Sequence, residues 1–124
     1  AQPADLQLVL AVDASGSVNQ ERFELQKQGY AAAFRHPRVL AAIRSGRGQA
    51  IAVTMTQWTG PSLQVQAVKW TRIADEASAE IFAAAVEDMP RQLFGGAQAL
   101  TAQLAVQRYM QLCLQLPARV VDDR

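Results

Sequence analysis

Cysteine and histidine are almost absent from this chain, which contains one residue of each, Cys113 and His36. A single cysteine cannot form a disulfide within the chain, and one histidine cannot build a structural zinc site. The usual staples of small domains are therefore excluded. The leucine and glutamine neighbours of Cys113 favour a buried, inert thiol. His36 precedes a proline at a predicted helix end, which favours a surface or capping role.

Charge of one sign is also lacking, because 12 basic residues are balanced by 11 acidic residues and the formal net charge is +1. Without a basic block, nothing in the sequence indicates binding to nucleic acid. No apolar run approaches the roughly twenty residues that a transmembrane segment needs. The hydrophobic fraction of 50% is typical of a globular chain, and the length predicts a single domain over residues 1–124.

The first residue is Ala1 rather than methionine. Such a start is what remains after a secretory signal has been removed, so we expect a periplasmic or secreted protein. A chain that had been trimmed for another reason would start in the same way, and the sequence leaves both origins open.

Three apolar segments predict strands at residues 6–12, 49–58 and 63–71. The first is apolar without alternation, as in a central parallel strand. The second and third are joined by a short turn, so they must pair antiparallel as a hairpin.

Helices are predicted around these strands. The first begins at an Asn19 cap and ends before Pro37. The residues that repeat at helical spacing on its inner face are Phe23, Tyr30 and Ala33, with the stem of Lys27. Asp75 is predicted to cap a later helix. The further predicted helices cover residues 39–44, 75–89 and 100–116, and a last strand begins at residues 119–121.

Asp13, Ser15 and Ser17 follow directly on the first predicted strand. In an open α/β sheet, ligands bind in the crevice beyond the carboxyl ends of the strands. Alternate residues of an extended segment point the same way, so one carboxylate and two hydroxyls can converge on one ion. Oxygen ligands suit a hard cation such as Mg²⁺. The alternative is that these residues only close a turn and cap the next helix.

An aspartate after a buried strand is also how phosphoryl-transferring α/β enzymes present a nucleophile. Such enzymes usually supply a second acid two residues later, where this chain has Ser15. The sequence also offers no well-placed histidine base and no glycine-rich phosphate loop. We therefore expect a binding module rather than an enzyme.

The strand followed by Asp13-x-Ser15-x-Ser17 resembles the first element of the metal-ion-dependent adhesion site of von Willebrand factor A domains. The similarity continues along the chain and is to an uncharacterised family of exported bacterial proteins of that class. It covers residues 8–33, 39–46, 51–53, 77–80 and 94–96, with Trp58 and Trp70. The resemblance implies an α/β fold with a Rossmann-like doubly wound sheet, mostly parallel with one antiparallel edge strand.

The same resemblance implies a ligand set. Asp13, Ser15 and Ser17 would hold Mg²⁺, Mn²⁺ or Ca²⁺, the serines directly and the aspartate partly through water. A threonine would come from the loop that ends at Gly96, and the last coordination position would accept an acidic side chain of a partner protein. This chain has Ala97 at the threonine position, and the nearest hydroxyl is that of Thr101, about one helical turn further on.

We expect the similarity to fade after Gly96, and the chain ends at Arg124 where the resembled domains continue into a second acidic loop. This ending is interpreted as a natural truncation, a frameshifted reading or a fragment completed by other strands. Each leaves sheet edge and apolar surface open, which predicts self-association or strand exchange. Two interpretations follow: a binding module whose metal site lacks one ligand, or a remnant without ligand function that assembles with itself.

Overall fold

A computed structural model describes residues 3–60 and 63–94 of the chain. The elements of this part, in chain order, are β1 (Gln7–Asp13), α1 (Gln20–Arg35), α2 (Pro37–Arg44), β2 (Ile51–Trp58), β3 (Gln64–Ile73) and α3 (Glu76–Asp88). The predicted α/β class is confirmed. Several predictions lie outside the described residues: the helix over 100–116, the strand at 119–121, and the roles of Ala97, Thr101 and Cys113.

The strands form one mixed sheet in the order β1-β2-β3. β1 runs parallel to β2, with Leu8 beside Val53 and Asp13 beside Trp58. β2 runs antiparallel to β3, which confirms the predicted hairpin. Because β1 and β2 are parallel, their carboxyl ends lie at the same edge of the sheet, where Asp13 was expected to present its side chain. Within the described part of the chain, β1 has β2 as its one neighbouring strand.

The main hydrophobic core lies on one face of this sheet, between the strands and helices α1 and α3. It combines alternate residues of the strands with the inward residues of the helices, among them Val12, Val53, Met55, Phe23, Phe34, Phe82 and Val86. The rings of Phe34 and Phe82 meet edge to face, with centroids 4.9 Å apart, and join the two helices. Burial of these side chains therefore fixes where α1 stands above β1.

Helix α1 is rotated slightly from the orientation that its sequence predicted. Its buried residues are Phe23, Lys27, Ala31 and Phe34. Tyr30 is half-buried and Ala33 is exposed, so the predicted place of Ala33 on the inner face was wrong. The physical reason is Phe34, whose large ring packs on Phe82 and turns the neighbouring Ala33 outward.

The predicted helix caps are present. Asn19 accepts a backbone N–H in the first turn of α1 at 2.8 Å, and Asp75 accepts the N–H of Ser78 at 2.8 Å. The Ser78 hydroxyl accepts the N–H of Asp75 in return, which completes a capping box. The Ser78 hydroxyl also donates to the Asp75 carboxylate at 2.7 Å. That bond, followed by the bond from the Ser78 N–H, favours the ionised carboxylate and lowers the pKa of Asp75. His36 caps α2 through its side chain, in agreement with the capping role expected for it.

An exposed ion-pair cluster joins α1 to α3 on the outside. The Arg35 guanidinium lies 2.7 Å from a Glu80 oxygen and 2.8 Å from a Glu87 oxygen. Hydrogen bonds from Arg35 lower the pKa of both carboxyls. The cluster stands above the aromatic contact of the same two helices and reinforces their alignment.

The turn between α2 and β2 is tied to the segment that precedes β1. The Asp5 carboxylate accepts the N–H of Gly48 at 2.7 Å, and the N–H of Asp5 donates to the carbonyl of Ala50 at 2.8 Å. Gly46 lies so close to this carboxylate that an added Cβ would overlap it. A side chain at position 46 would therefore have to displace the Asp5 carboxylate from its present place.

Gly46→Ala should lower the free energy of unfolding by about 1–3 kcal/mol, because the new methyl group displaces Asp5 and breaks its charged hydrogen bond. Gly29→Ala is the matched control, since a Cβ at Gly29 in α1 meets nothing within 4 Å. That control should raise stability by about 0.5–1 kcal/mol through helix propensity. Urea unfolding of the two variants gives both numbers, and changes of the same sign would contradict the crowding at Gly46.

Large apolar side chains exposed among the described residues are Leu6, Leu25, Leu63, Ile81 and Phe94. They are spread over several elements rather than gathered in one helix. Between residues 3 and 60 and between 63 and 94, no helix has the length and hydropathy to cross a membrane. The expected self-association stays a prediction. Exposed apolar side chains favour association when they form one contiguous patch.

Candidate metal centre

The predicted ligands lie in one short turn at the carboxyl edge of the sheet. The hydroxyl oxygens of Ser15 and Ser17 are 3.2 Å apart and hydrogen-bonded to each other. The Asp13 carboxylate accepts the backbone N–H of Ser15 at 2.9 Å. Ser15 is 2% exposed, whereas Asp13 is half-buried and Ser17 is exposed. The two hydroxyls therefore form a pair with one buried and one open side.

The turn itself follows from its sequence. An aspartate side chain that binds the N–H two residues later forms an Asx turn. The Ser15 carbonyl then accepts the N–H of Val18 at 3.0 Å, directly before the Asn19 cap of α1. Asp13 thus does close a turn, as the alternative interpretation of these residues expects. The turn does not exclude a ligand role, because an ionised carboxylate has about four acceptor sites and the turn uses one.

Gln26 of α1 holds the backbone of Asp13 in place. Its side-chain amide donates to the Asp13 carbonyl at 2.9 Å and accepts the Asp13 N–H at 3.2 Å. On the other side, the N–H of Ala14 donates to the carbonyl of Trp58 at 2.9 Å. The last residue of β1 is therefore fixed both by β2 and by a side chain that sequence reasoning missed.

The loop after α3 closes over the same turn through Arg91. One guanidinium nitrogen, Nη2, donates to the carbonyls of Ala14 at 3.1 Å and Ser15 at 3.2 Å. The guanidinium carbon lies 5.1 Å from the ring centroids of both Phe23 and Phe94. Arg91 thus joins the candidate ligands to a segment far along the chain.

Two buried polar side chains, Gln57 and Lys27, form hydrogen bonds with the backbone of this loop. Gln57, 0% exposed, donates to the Pro90 carbonyl at 2.7 Å and accepts the N–H of Gln92 at 2.8 Å. The Lys27 ammonium donates to the Met89 carbonyl at 2.6 Å and lies 3.5 Å from an acidic side chain one turn earlier in α1. Every buried polar atom named here has a partner in the backbone of the loop. These hydrogen bonds therefore fix the position of the loop beside the turn of Asp13, Ser15 and Ser17.

The serine pair fits a divalent ion. Two adjacent oxygen ligands of an octahedral Mg²⁺ lie about 2.9 Å apart, and those of an octahedral Ca²⁺ about 3.3–3.7 Å apart. The observed 3.2 Å lies between these spacings. No group of three or more His, Cys, Asp or Glu side chains that could hold a metal occurs in residues 3–60 and 63–94. A site here would therefore depend on hydroxyls, while Ala97 and Thr101 lie outside the described part.

Fold and turn together define an α/β domain with a polar, hydroxyl-rich turn at the carboxyl end of its first strand. The chain belongs to the family described as "Protein of unknown function (DUF1194)", whose model matches residues 3–122. The match runs past Gly96, the point after which the similarity was expected to fade. No curated protein and no solved structure matches the chain.

Proposed function

We propose that this chain is a protein-binding domain of the von Willebrand factor A type, with a metal-ion-dependent adhesion site at Asp13, Ser15 and Ser17. The observation that carries the proposal is the 3.2 Å approach of the two serine hydroxyls at the end of β1. The Asx turn accounts for the contact between Asp13 and Ser15. The Asx turn does not need a hydroxyl at the exposed position 17. A metal site needs one there, because the hydroxyl oxygen of Ser17 would be a ligand.

Each residue has a defined part in this function. Ser15 and Ser17 would bind the ion directly, and Asp13 would contribute negative charge directly or through water. A bound Mg²⁺, Mn²⁺ or Ca²⁺ supplies a concentrated positive charge for a carboxylate of the partner protein. Because Ser15 is buried and Ser17 is exposed, the partner would approach from the Ser17 side.

Calorimetric titration with Mg²⁺ and Mn²⁺ tests the site directly. The parent protein should bind both ions, and Asp13→Ala and Ser17→Ala should lose the binding heat. Ser17 is exposed, so its substitution leaves the core untouched. Ser45→Ala is the matched control, because this exposed serine ends α2, in the connection that leads to the amino end of β2. It should bind the ions like the parent.

Thermal unfolding gives an independent readout of the same binding. At a metal concentration one hundred times the dissociation constant, the free energy of unfolding of the parent should rise by about 2.7 kcal/mol. Asp13→Ala should show no such rise. Equal heats in the parent and Asp13→Ala would remove the adhesion function. Asp13-dependent phosphatase turnover would instead favour the enzyme alternative.

A further inference from the structure

Arg91 connects two loops that are distant in sequence. It lies in the loop after α3, 77 residues from Ala14 and 76 residues from Ser15, and it donates hydrogen bonds to both of their carbonyls. Its Nε donates to the carbonyl of Leu93 at 2.8 Å, so the guanidinium is also anchored within its own loop. A planar guanidinium makes such bonds in a fixed fork, which a lysine cannot reproduce.

The backbone of Ser15 is fixed on both sides by these contacts. Its N–H donates to the Asp13 carboxylate, and its carbonyl accepts from Arg91 and from the N–H of Val18. With both peptide groups held, the direction of the Ser15 Cα–Cβ bond is set. The bond to Arg91 is therefore one of the contacts that fix the position from which the Ser15 hydroxyl meets that of Ser17.

The charge of Arg91 acts in the opposite sense. A guanidinium near a cation site repels a second cation. Here the guanidinium carbon lies over the rings of Phe23 and Phe94, 5.1 Å from each centroid. Two of its nitrogen atoms, Nε and Nη2, donate to backbone carbonyls, which offset part of the positive charge. The geometric effect and the repulsion therefore predict opposite consequences of removing Arg91.

We propose that Arg91 is a positioning residue for the metal site, which keeps the two serine hydroxyls close enough together to bind one small octahedral ion. The proposal rests on the proposed function. It makes the loop after α3 part of the site although that loop has no carboxylate or hydroxyl side chain among its described residues, 89–94. Loss of the Arg91 bonds lets the turn widen, and a wider turn suits Ca²⁺ better than Mg²⁺.

The test compares Mg²⁺ and Ca²⁺ affinities by calorimetry in the parent, Arg91→Lys and Arg91→Met. Lysine keeps the charge without the fork, and methionine removes the charge. Both variants should lose Mg²⁺ affinity by about 10–100-fold, the usual cost of removing a group that orients metal ligands. The loss for Ca²⁺ should be smaller, because Ca²⁺ tolerates flexible geometry. Arg47→Met, at an exposed position in the turn before β2, should leave both affinities unchanged.

Three outcomes would overturn the positioning role. Equal losses for both ions would indicate general destabilisation of the fold, and unchanged affinities would show that Arg91 does not act on the site. Tighter binding of both ions by Arg91→Met alone would show that charge repulsion dominates. If the parent binds neither ion, the proposed function itself fails, and the parent titration separates that result from the other three.

Discussion

Replacing Gln57 by glutamate is expected to destabilise the domain by about 3–5 kcal/mol at pH 8, because it leaves a buried charge without a compensating partner. The Gln57 side chain is 0% exposed. Its amide NH₂ donates to the Pro90 carbonyl at 2.7 Å, and its oxygen accepts the Gln92 N–H at 2.8 Å. A carboxylate would keep the second bond and would set negative charge against the Pro90 carbonyl.

The loss in Gln57→Glu should depend on pH in a defined direction. Burial and the facing carbonyl raise the pKa of the introduced carboxyl above the value of about 4.3 for an unfolded glutamate. The folded state then binds the proton more tightly, so the free energy of unfolding falls as pH rises from about 4.3 through the raised pKa. Below that window the neutral acid can donate to Pro90, and most of the stability should return.

Urea unfolding between pH 4 and pH 8 measures this dependence. Gln28→Glu is the matched control, because Gln28 is exposed on α1 and the substitution changes the net charge equally. The control should follow the pH profile of the parent. A loss in Gln57→Glu that did not vary with pH would contradict the position of Gln57 beneath the loop.

Phe82→Ala is expected to lower the free energy of unfolding by about 3–5 kcal/mol, the usual cost of removing a fully buried ring. Phe82 is 0% exposed, and its ring lies 4.9 Å from that of Phe34 at an interplanar angle of 69°. This edge-to-face pair adds about 0.5–1.5 kcal/mol beyond burial. The melting temperature should therefore fall by about 10 °C or more, since each kcal/mol shifts it by about 4 °C in a domain of this size.

Ile81→Ala is the control for Phe82→Ala on the same helix. Ile81 precedes Phe82 and is 66% exposed, so its truncation should change stability by less than about 0.5 kcal/mol. Circular dichroism melts of the two variants make the comparison. Similar losses in both would show that α3 does not face the sheet with its Phe82 side.

The elements that could be predicted from sequence are those whose causes are local. The apolar run Leu8–Val12 of β1, the short turn between β2 and β3, and the caps Asn19 and Asp75 each depend on residues within a few positions of one another. Ala33 was misplaced because the rotation of α1 is set by Phe34 packing on Phe82, a contact across 48 positions of the chain. Periodicity alone could not choose between neighbouring helix faces.

The candidate site divides along the same line. Asp13, Ser15 and Ser17 could be found because they are close in sequence and follow a strand. Gln26 and Arg91 could not, since their partners are backbone groups of the turn and not complementary side chains. Gln57 was not predicted either, although a glutamine in a strand of otherwise apolar residues and threonines is a signal that could have found it.

The contact of Gln26 with Asp13 limits how far another strand can pair along the open edge of β1. The side-chain amide of Gln26 is hydrogen-bonded to both the N–H and the carbonyl of Asp13. A further strand would need these two backbone groups in order to pair with Asp13. Lateral growth of the sheet must therefore halt before the end of β1. A strand from a second chain that paired with the open edge of β1 would therefore leave the turn of Ser15 and Ser17 accessible to a ligand.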